Sequence, residues 1–170
     1  NIMINPDGTI GVHETKTLRG LSAYALRIGL KELNSEARKK AVKESIGFTE
    51  GEVILDTFNI QNIDRYKEPL VIEVDYHIDN LVTITPEEAI FQTAGLISPL
   101  SNVALKIRPE ERANPIKIPY NEYYNRTVTI HFPSDWTIKT VLNDISFRNQ
   151  FGSIDGKSIA AGDSLVITQN

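Results

Sequence analysis

The sequence predicts an α+β fold, mainly β: an antiparallel β-sandwich with an N-terminal hairpin and two short helices. Three observations carry this. Leu70, Ile72, Val74, Tyr76 and Ile78 alternate with Val71, Glu73, Asp75, His77 and Asp79, the two-residue period of a strand with one dry and one wet face. Such alternation is typical of antiparallel sheets, whereas strands buried on both faces are apolar throughout. Helical spacing is confined to the stretch between Ala23 and Ile46, followed by about seven strand-like runs. Helices and strands are therefore segregated along the chain, which is the α+β order.

The elements follow in order. Ile2 to Ile4 is a short apolar strand, and Asn5-Pro6-Asp7-Gly8 is a turn, since proline presets one dihedral and Asp-Gly tolerates the left-handed one. Thr9 to Thr17 completes a hairpin that ends near Arg19-Gly20. Ser22 is the expected cap of a helix from Ala23 to Leu33. Leu26, Leu30 and Leu33 line one face of that helix, flanked by Tyr24 and Ile28. Ser35 is the expected cap of a second helix, Glu36 to Ile46, ended by Gly47. Its thinner apolar stripe is Ala37, Ala41, Val42 and Ile46, and Arg38, Lys39, Lys40 and Lys43 make a basic face. A solvated face is the plainer account of four cations on one helix.

In the strand Glu52 to Ile60, strict alternation places Val53 and Leu55 opposite Ile54, Phe58 and Ile60. The polar loop Asn62 to Pro69 leads into the strand from Leu70. A further strand is expected at Val103, Leu105 and Ile107. The stretch Arg112 to Leu142 reads as two long strands around Pro133-Ser134-Asp135, with Val128, Ile130 and Phe132 before the turn. Trp136, Ile138, Thr140 and Leu142 resume the alternation after it. The only tryptophan thus follows the turn, and tryptophan buries more apolar surface than any other residue. A last hairpin is expected over Phe147 to Ile154 and Ser158 to Thr168, with Asp155-Gly156 as its turn.

The 170 residues suffice for one domain with a core, 1–170, or for two packed parts, 1–50 (hairpin and helix pair) and 51–170 (sandwich). A net charge of -4 disfavours binding to phosphate backbones. No apolar run approaches the roughly 20 residues needed to span a bilayer. The first residue is Asn and no signal peptide opens the chain, so an excised fragment or mature form is expected. The sequence holds no cysteine, which excludes disulfides, thiolate zinc sites and a cysteine nucleophile within it.

Polar residues offer few reaction centres. His13, His77 and His131 lie far apart in sequence on expected strands, and none has a second histidine at i+2 or i+4 to build a metal site. Asp75, His77 and Asp79 share one strand face and could hold a cation, but alternating polar residues are also what any wet sheet face shows. No Gly-x-Ser-x-Gly elbow surrounds a serine. Glu87-Glu88 and Glu110-Glu111 are neighbours, whereas glycosidase carboxylates face each other from separate segments. No catalytic residue, metal ligand or cofactor is expected. Tyr120, Tyr123 and Tyr124 cluster in a loop with Asn121 and Asn125. Together with Trp136 they are the candidate binding residues, since tyrosine and asparagine stack on and hydrogen-bond sugars or peptides. Their plainer role is to cover the edge of the core. Asn125-Arg126-Thr127 matches a glycosylation sequon, a motif that often arises by chance.

Several spacings resemble the C-terminal β-rich domain, a domain of unknown function, of exported bacterial transglutaminase-like proteins. They are Gly8, Gly20-Leu21-Ser22-Ala23 with Arg27, Asn62-x-Asp64 before Glu68-Pro69-Leu70, Arg112-x-x-Pro115-Ile116, and Ile130-x-Phe132-Pro133 with Trp136. Val141-Leu142-Asn143 departs from the pattern, in which a second proline often follows the turn. The resemblance implies a non-catalytic accessory domain following a papain-like core whose Cys-His-Asp site lies outside these residues. It implies a partner, that core in the same polypeptide, and export to the periplasm or cell surface of a Gram-negative bacterium. The expected contact surface is either the helix pair or the Tyr120–Tyr124 loop. The alternative expectation is a carbohydrate- or peptide-binding sandwich that takes cell-wall glycan or peptide.

Overall fold

The computed structural model describes residues 1–46, 52–79, 81–91, 123–139, 141–150 and 152–170. Mainly β with two helices and an N-terminal hairpin, it has the expected class. The hairpin pairs β1 (Ile2–Ile4) with β2 (Ile10–Leu18), Ile4 opposite Ile10. Its turn is held by Gly8 N–H donating to the Asn5 carbonyl and by Asp7 Oδ1 accepting from both Thr9 N–H and Thr9 Oγ1. Gly8 sits at φ 86°, and a Cβ there would lie 3.2 Å from Ile84 Cδ1 and 3.3 Å from the Val82 carbonyl. Only glycine meets both demands.

Helix α1 (Gly20–Lys31) starts earlier than expected, after Arg19, with no side-chain cap; Ser22 lies inside it. Helix α2 (Ser35–Ser45) is capped by Asn34 rather than Ser35: Asn34 Oδ1 accepts from Ala37 N–H at 2.9 Å. An Asn side chain is as good an acceptor for the free N–H groups of a first turn as Ser. Arg38, expected on the basic face, turns back instead. It donates to the Leu30 and Lys31 carbonyls in the last turn of α1, as basic side chains do near helix C-termini. Lys39, Lys40 and Lys43 remain exposed. Gly47 lies outside the described residues.

Strand β3 (Glu52–Gln61) pairs with β4 (Leu70–Asp79), with β-bulge residue Asp56 between Leu55, opposite Tyr76, and Thr57, opposite Asp75. One inserted residue reverses the side-chain phase beyond it. The bulge therefore corrects the alternation: Val53, Leu55, Phe58 and Ile60 all serve the core face, and Ile54 is exposed. β4 alternates as expected, with Leu70, Ile72, Val74, Tyr76 and Ile78 buried. β5 (Val82–Ile84) and β6 (Ala89–Phe91) form a small hairpin.

β7 (Arg126–His131), β8 (Ile145–Asn149), β9 (Gly152–Ala161) and β10 (Ser164–Gln169) complete an eight-stranded sheet in the order β3-β4-β2-β1-β7-β10-β9-β8. It is antiparallel except at β1 and β7, which run parallel with Ile2 opposite Ile130. The three residues of β1 thus join the two halves of the sheet. Two further expectations are corrected here. β7 is paired by β10 along its length and by β1 at Ile130 and His131, so both sides of its end next to Pro133 are taken, and residues 136–139 form no strand. Asp155-Gly156 lies within β9, because β8 and β10 bond that strand from both sides, and Asp155 exchanges backbone hydrogen bonds with Asn170. The turn falls instead at Gly162-Asp163, with Gly162 at φ 61°. The expected strand at Val103, Leu105 and Ile107, like Arg112 to Ile116, lies outside the described residues.

The core is continuous. Ile2, Ile4, Ile10, Leu70, Val74, Ile78, Ile130, Leu165 and Ile167 from the sheet meet Ala23 and Leu30 of α1 and Val42 and Ile46 at α2.

Candidate functional site

The solvent face of the sheet gathers the polar side chains singled out by the sequence. His13 Nδ1 and Asp75 Oδ1 are 2.7 Å apart, and Asp75 Oδ2 accepts from Thr57 Oγ1 at 2.9 Å. His77 Nδ1 lies 3.0 Å from the Asp56 carboxylate. The hydrogen bonds from His13 and then Thr57 hold the Asp75 carboxyl below the usual carboxylate range. The bond to Asp56 raises the His77 imidazole above its ordinary value, with the charges of Asp56 and Asp79 adding to it. Asp56 reaches His77 because it is the bulge residue, a position that alternation alone does not reveal.

This face is open. His13 and Asp75 are each about half exposed, at 49% and 48%. His13 Nε2 lies 3.5 Å from Thr15 Oγ1, so hydroxyl, imidazole and carboxylate follow in the order of a hydrolytic triad. That separation exceeds the roughly 2.6–3.2 Å over which a base activates a nucleophile, and water screens the group. The Asp75-His77-Asp79 row does not converge: Asp75 turns to His13 and Thr57, and His77 to Asp56. Among the described residues no three ligating side chains gather around one point. A shallow cleft of about 380 Å³ lies over Gly11, Met3, His13, Asp75 and His131.

The aromatic candidates do not share one surface. Tyr120 lies outside the described residues. Tyr123 is 81% exposed just before β7, and Tyr124 is more covered. Trp136 is partly buried against the core, and its backbone N–H donates to the Pro133 carbonyl.

A different group is assembled with more precision. Arg27, on α1, is buried to 3% exposure. Its guanidinium donates to three backbone carbonyls of the 62–69 loop: Asn62 at 3.2 Å, Arg65 at 3.1 Å and Glu68 at 2.6 Å. Asn62, at φ 63°, sends its side-chain amide to the Pro69 carbonyl. Lys31 pairs with Asp64 at 2.9 Å, and Arg27 and Lys31 both lie over the Tyr66 ring. A buried cation requires several acceptors, and a planar fork can reach three diverging carbonyls where an ammonium cannot. Composition and periodicity missed this lock. Its signal in the sequence was the single charge within an otherwise uncharged run, Gly20 to Leu30.

Comparison with known proteins adds one finding. Residues 89–170 are similar to a family described as a domain of unknown function with a solved structure, DUF3858. The match takes in β6 to β10 and leaves both helices, β1 to β5 and the Arg27 lock outside it. No curated protein and no solved structure matches the chain.

Proposed function

We propose that the chain is a non-catalytic C-terminal accessory domain of a transglutaminase-like, papain-fold exported protein, supporting its core or docking the core's partner or substrate. The single observation behind this reading is the Arg27 lock. Gly20-Leu21-Ser22-Ala23 with Arg27, and Asn62-x-Asp64 with Glu68-Pro69, are separated by a helix and a strand in sequence. They are also spacings that resemble such tails, and in the fold Arg27 of the first donates to the Asn62 and Glu68 carbonyls of the second, beside the Lys31–Asp64 pair. A shared physical requirement therefore ties these residues together, where chance similarity would scatter them. The domain-of-unknown-function match over 89–170 accords with this. On this reading the protein works in the periplasm or at the cell surface of a Gram-negative bacterium, and the Cys-His-Asp chemistry belongs to the attached core. Purified chain is expected to show no amidase, protease or cross-linking turnover on peptide substrates, and its reading frame to encode a cysteine-containing papain-like core upstream. Turnover by the pure chain, or a reading frame without that core, defeats the proposal.

The exposure of Tyr123 favours a second reading, a carbohydrate- or peptide-binding module. It predicts direct affinity for cell-wall fragments, measured on a glycan array or by chemical shifts of Tyr123 and Tyr124 and fluorescence of Trp136. Silence in all of these leaves the accessory role alone.

A further inference from the structure

Helix α1 buries Ala23, Arg27 and Leu30 and turns a second apolar stripe outward. From Gly20 to Leu30 its only charge is Arg27, and that charge faces the protein, while Leu21 (56% exposed), Tyr24 (52%) and Ile28 (51%) face solvent. Their spacing of three and four residues makes one continuous apolar stripe. Ser22, Ala25 and Gly29 are exposed too, so nearly three turns of the outer surface carry no charge. The neighbouring helix is the reverse: α2 exposes Glu36, Lys39, Lys40, Lys43 and Glu44. Solvation thus explains the surface of α2 but not that of α1.

Gly29 adds an independent sign. Glycine weakens a helix interior relative to alanine, yet a Cβ at Gly29 would meet nothing within 4 Å among the described residues. The domain's own packing does not call for it. Bare positions one turn apart, Ala25 and Gly29, allow another backbone to approach closely. The Arg27 lock and the Arg38 bonds hold α1 in place, so this surface is preorganised.

The size of the stripe narrows the occupant. Three half-exposed side chains with the helix between them offer on the order of 300–400 Å², well under the roughly 800 Å² per partner of a stable complex between free proteins. A second copy of the chain would not be held. A domain tethered in the same polypeptide would, because tethering supplies an effective concentration on the millimolar scale. Charge points the same way, since burying Leu21, Tyr24 and Ile28 against a charged surface would strip that surface of water without compensation.

We propose that the outer face of α1, Leu21, Tyr24 and Ile28 around bare Ala25 and Gly29, is the surface on which the catalytic core of the same polypeptide docks, through an uncharged apolar helix. This rests on the accessory-domain reading and names its docking surface. The absence of cysteine provides the test. Tyr24→Cys, Ile28→Cys and, as a control on α2, Lys39→Cys are each placed in the natural full-length polypeptide, with native cysteines replaced by serine. Thiol-labelling rates are then compared with those of the same variants in the chain alone. The expected result is labelling slowed at least tenfold at Tyr24→Cys and Ile28→Cys in the full polypeptide, with Lys39→Cys unchanged. Equal rates at all three positions overturn this inference while leaving the accessory reading intact. Protection of Tyr24→Cys and Ile28→Cys in the chain alone, growing with its concentration, overturns it in favour of a second copy. A natural polypeptide that encodes no papain-like core removes the accessory reading and this inference with it.

Discussion

Arg27→Met measures the lock most directly. Methionine keeps much of the aliphatic stem, so packing changes little, but all three donor interactions, at 3.2, 3.1 and 2.6 Å, disappear. A hydrogen bond from a charged donor contributes about 1.5–3 kcal/mol net, while the Asn62 and Arg65 carbonyls keep the bonds they accept from Arg65 N–H and Glu68 N–H. Three such terms do not add, because the loop relaxes and water reaches Asn62, Arg65 and Glu68. Desolvation of the guanidinium, recovered in the variant, offsets part of the loss. The expected destabilisation is therefore about 3–5 kcal/mol, near the upper range for single substitutions. At about 2–4 °C per kcal/mol for a chain of this size, the thermal midpoint falls by roughly 6–20 °C. Arg27→Lys keeps the charge but replaces the fork with a compact head, and should recover less than half of the loss. Urea denaturation gives the free energies, and limited proteolysis within 62–69 shows whether the loop opens first. A loss below about 1 kcal/mol for Arg27→Met would refute the lock as an organising interaction.

Three further outcomes are expected. The His77 imidazole, raised by Asp56, should titrate above the ordinary value of about 6.5. Its contribution to stability is then full below that value and lost as pH rises through the folded-state pKa. In Asp56→Asn, NMR titration should return His77 toward the ordinary value, and an unchanged titration would dismiss the pairing. Gly8→Ala should cost about 1–3 kcal/mol, from the left-handed φ and the approach of Ile84 and Val82, read by urea denaturation. Asn34→Ala should cost about 1 kcal/mol through the lost cap of α2, whereas Ser22→Ala and Ser35→Ala should each stay within about 0.5 kcal/mol.

Local rules account for much of what could be read without coordinates. The Asn5–Gly8 turn, the alternation of Leu70–Asp79 and the two helices between Gly20 and Ser45 depend on neighbours a few residues away, and all are found. The errors share a cause. Asp155-Gly156 is a good hairpin turn taken alone, yet pairing of β9 with both β8 and β10 keeps it extended. Trp136 to Lys139 has a strand-like pattern, but the end of β7 next to the turn is already paired by β10 on one side and β1 on the other. Chemistry behaved similarly. Alternation identified Asp75 and His77 as wet-face residues but could not supply Asp56, which reaches His77 only through the bulge.

The mainly β class, the segregation of helices from strands, the wet face of β4 and the exclusion of thiol chemistry are legible in the residues alone. Each follows from side-chain period, backbone preference or composition, which are properties of short segments. Tertiary structure alone decided the parallel joint between β1 and β7, the phase reversal at Asp56, the inward turn of Arg27 and the outward turn of Leu21, Tyr24 and Ile28. These depend on which segments distant in sequence meet once the chain is packed. A lone cation among apolar residues turns inward where three loop carbonyls converge to accept from it, and the apolar stripe beside it is left facing out.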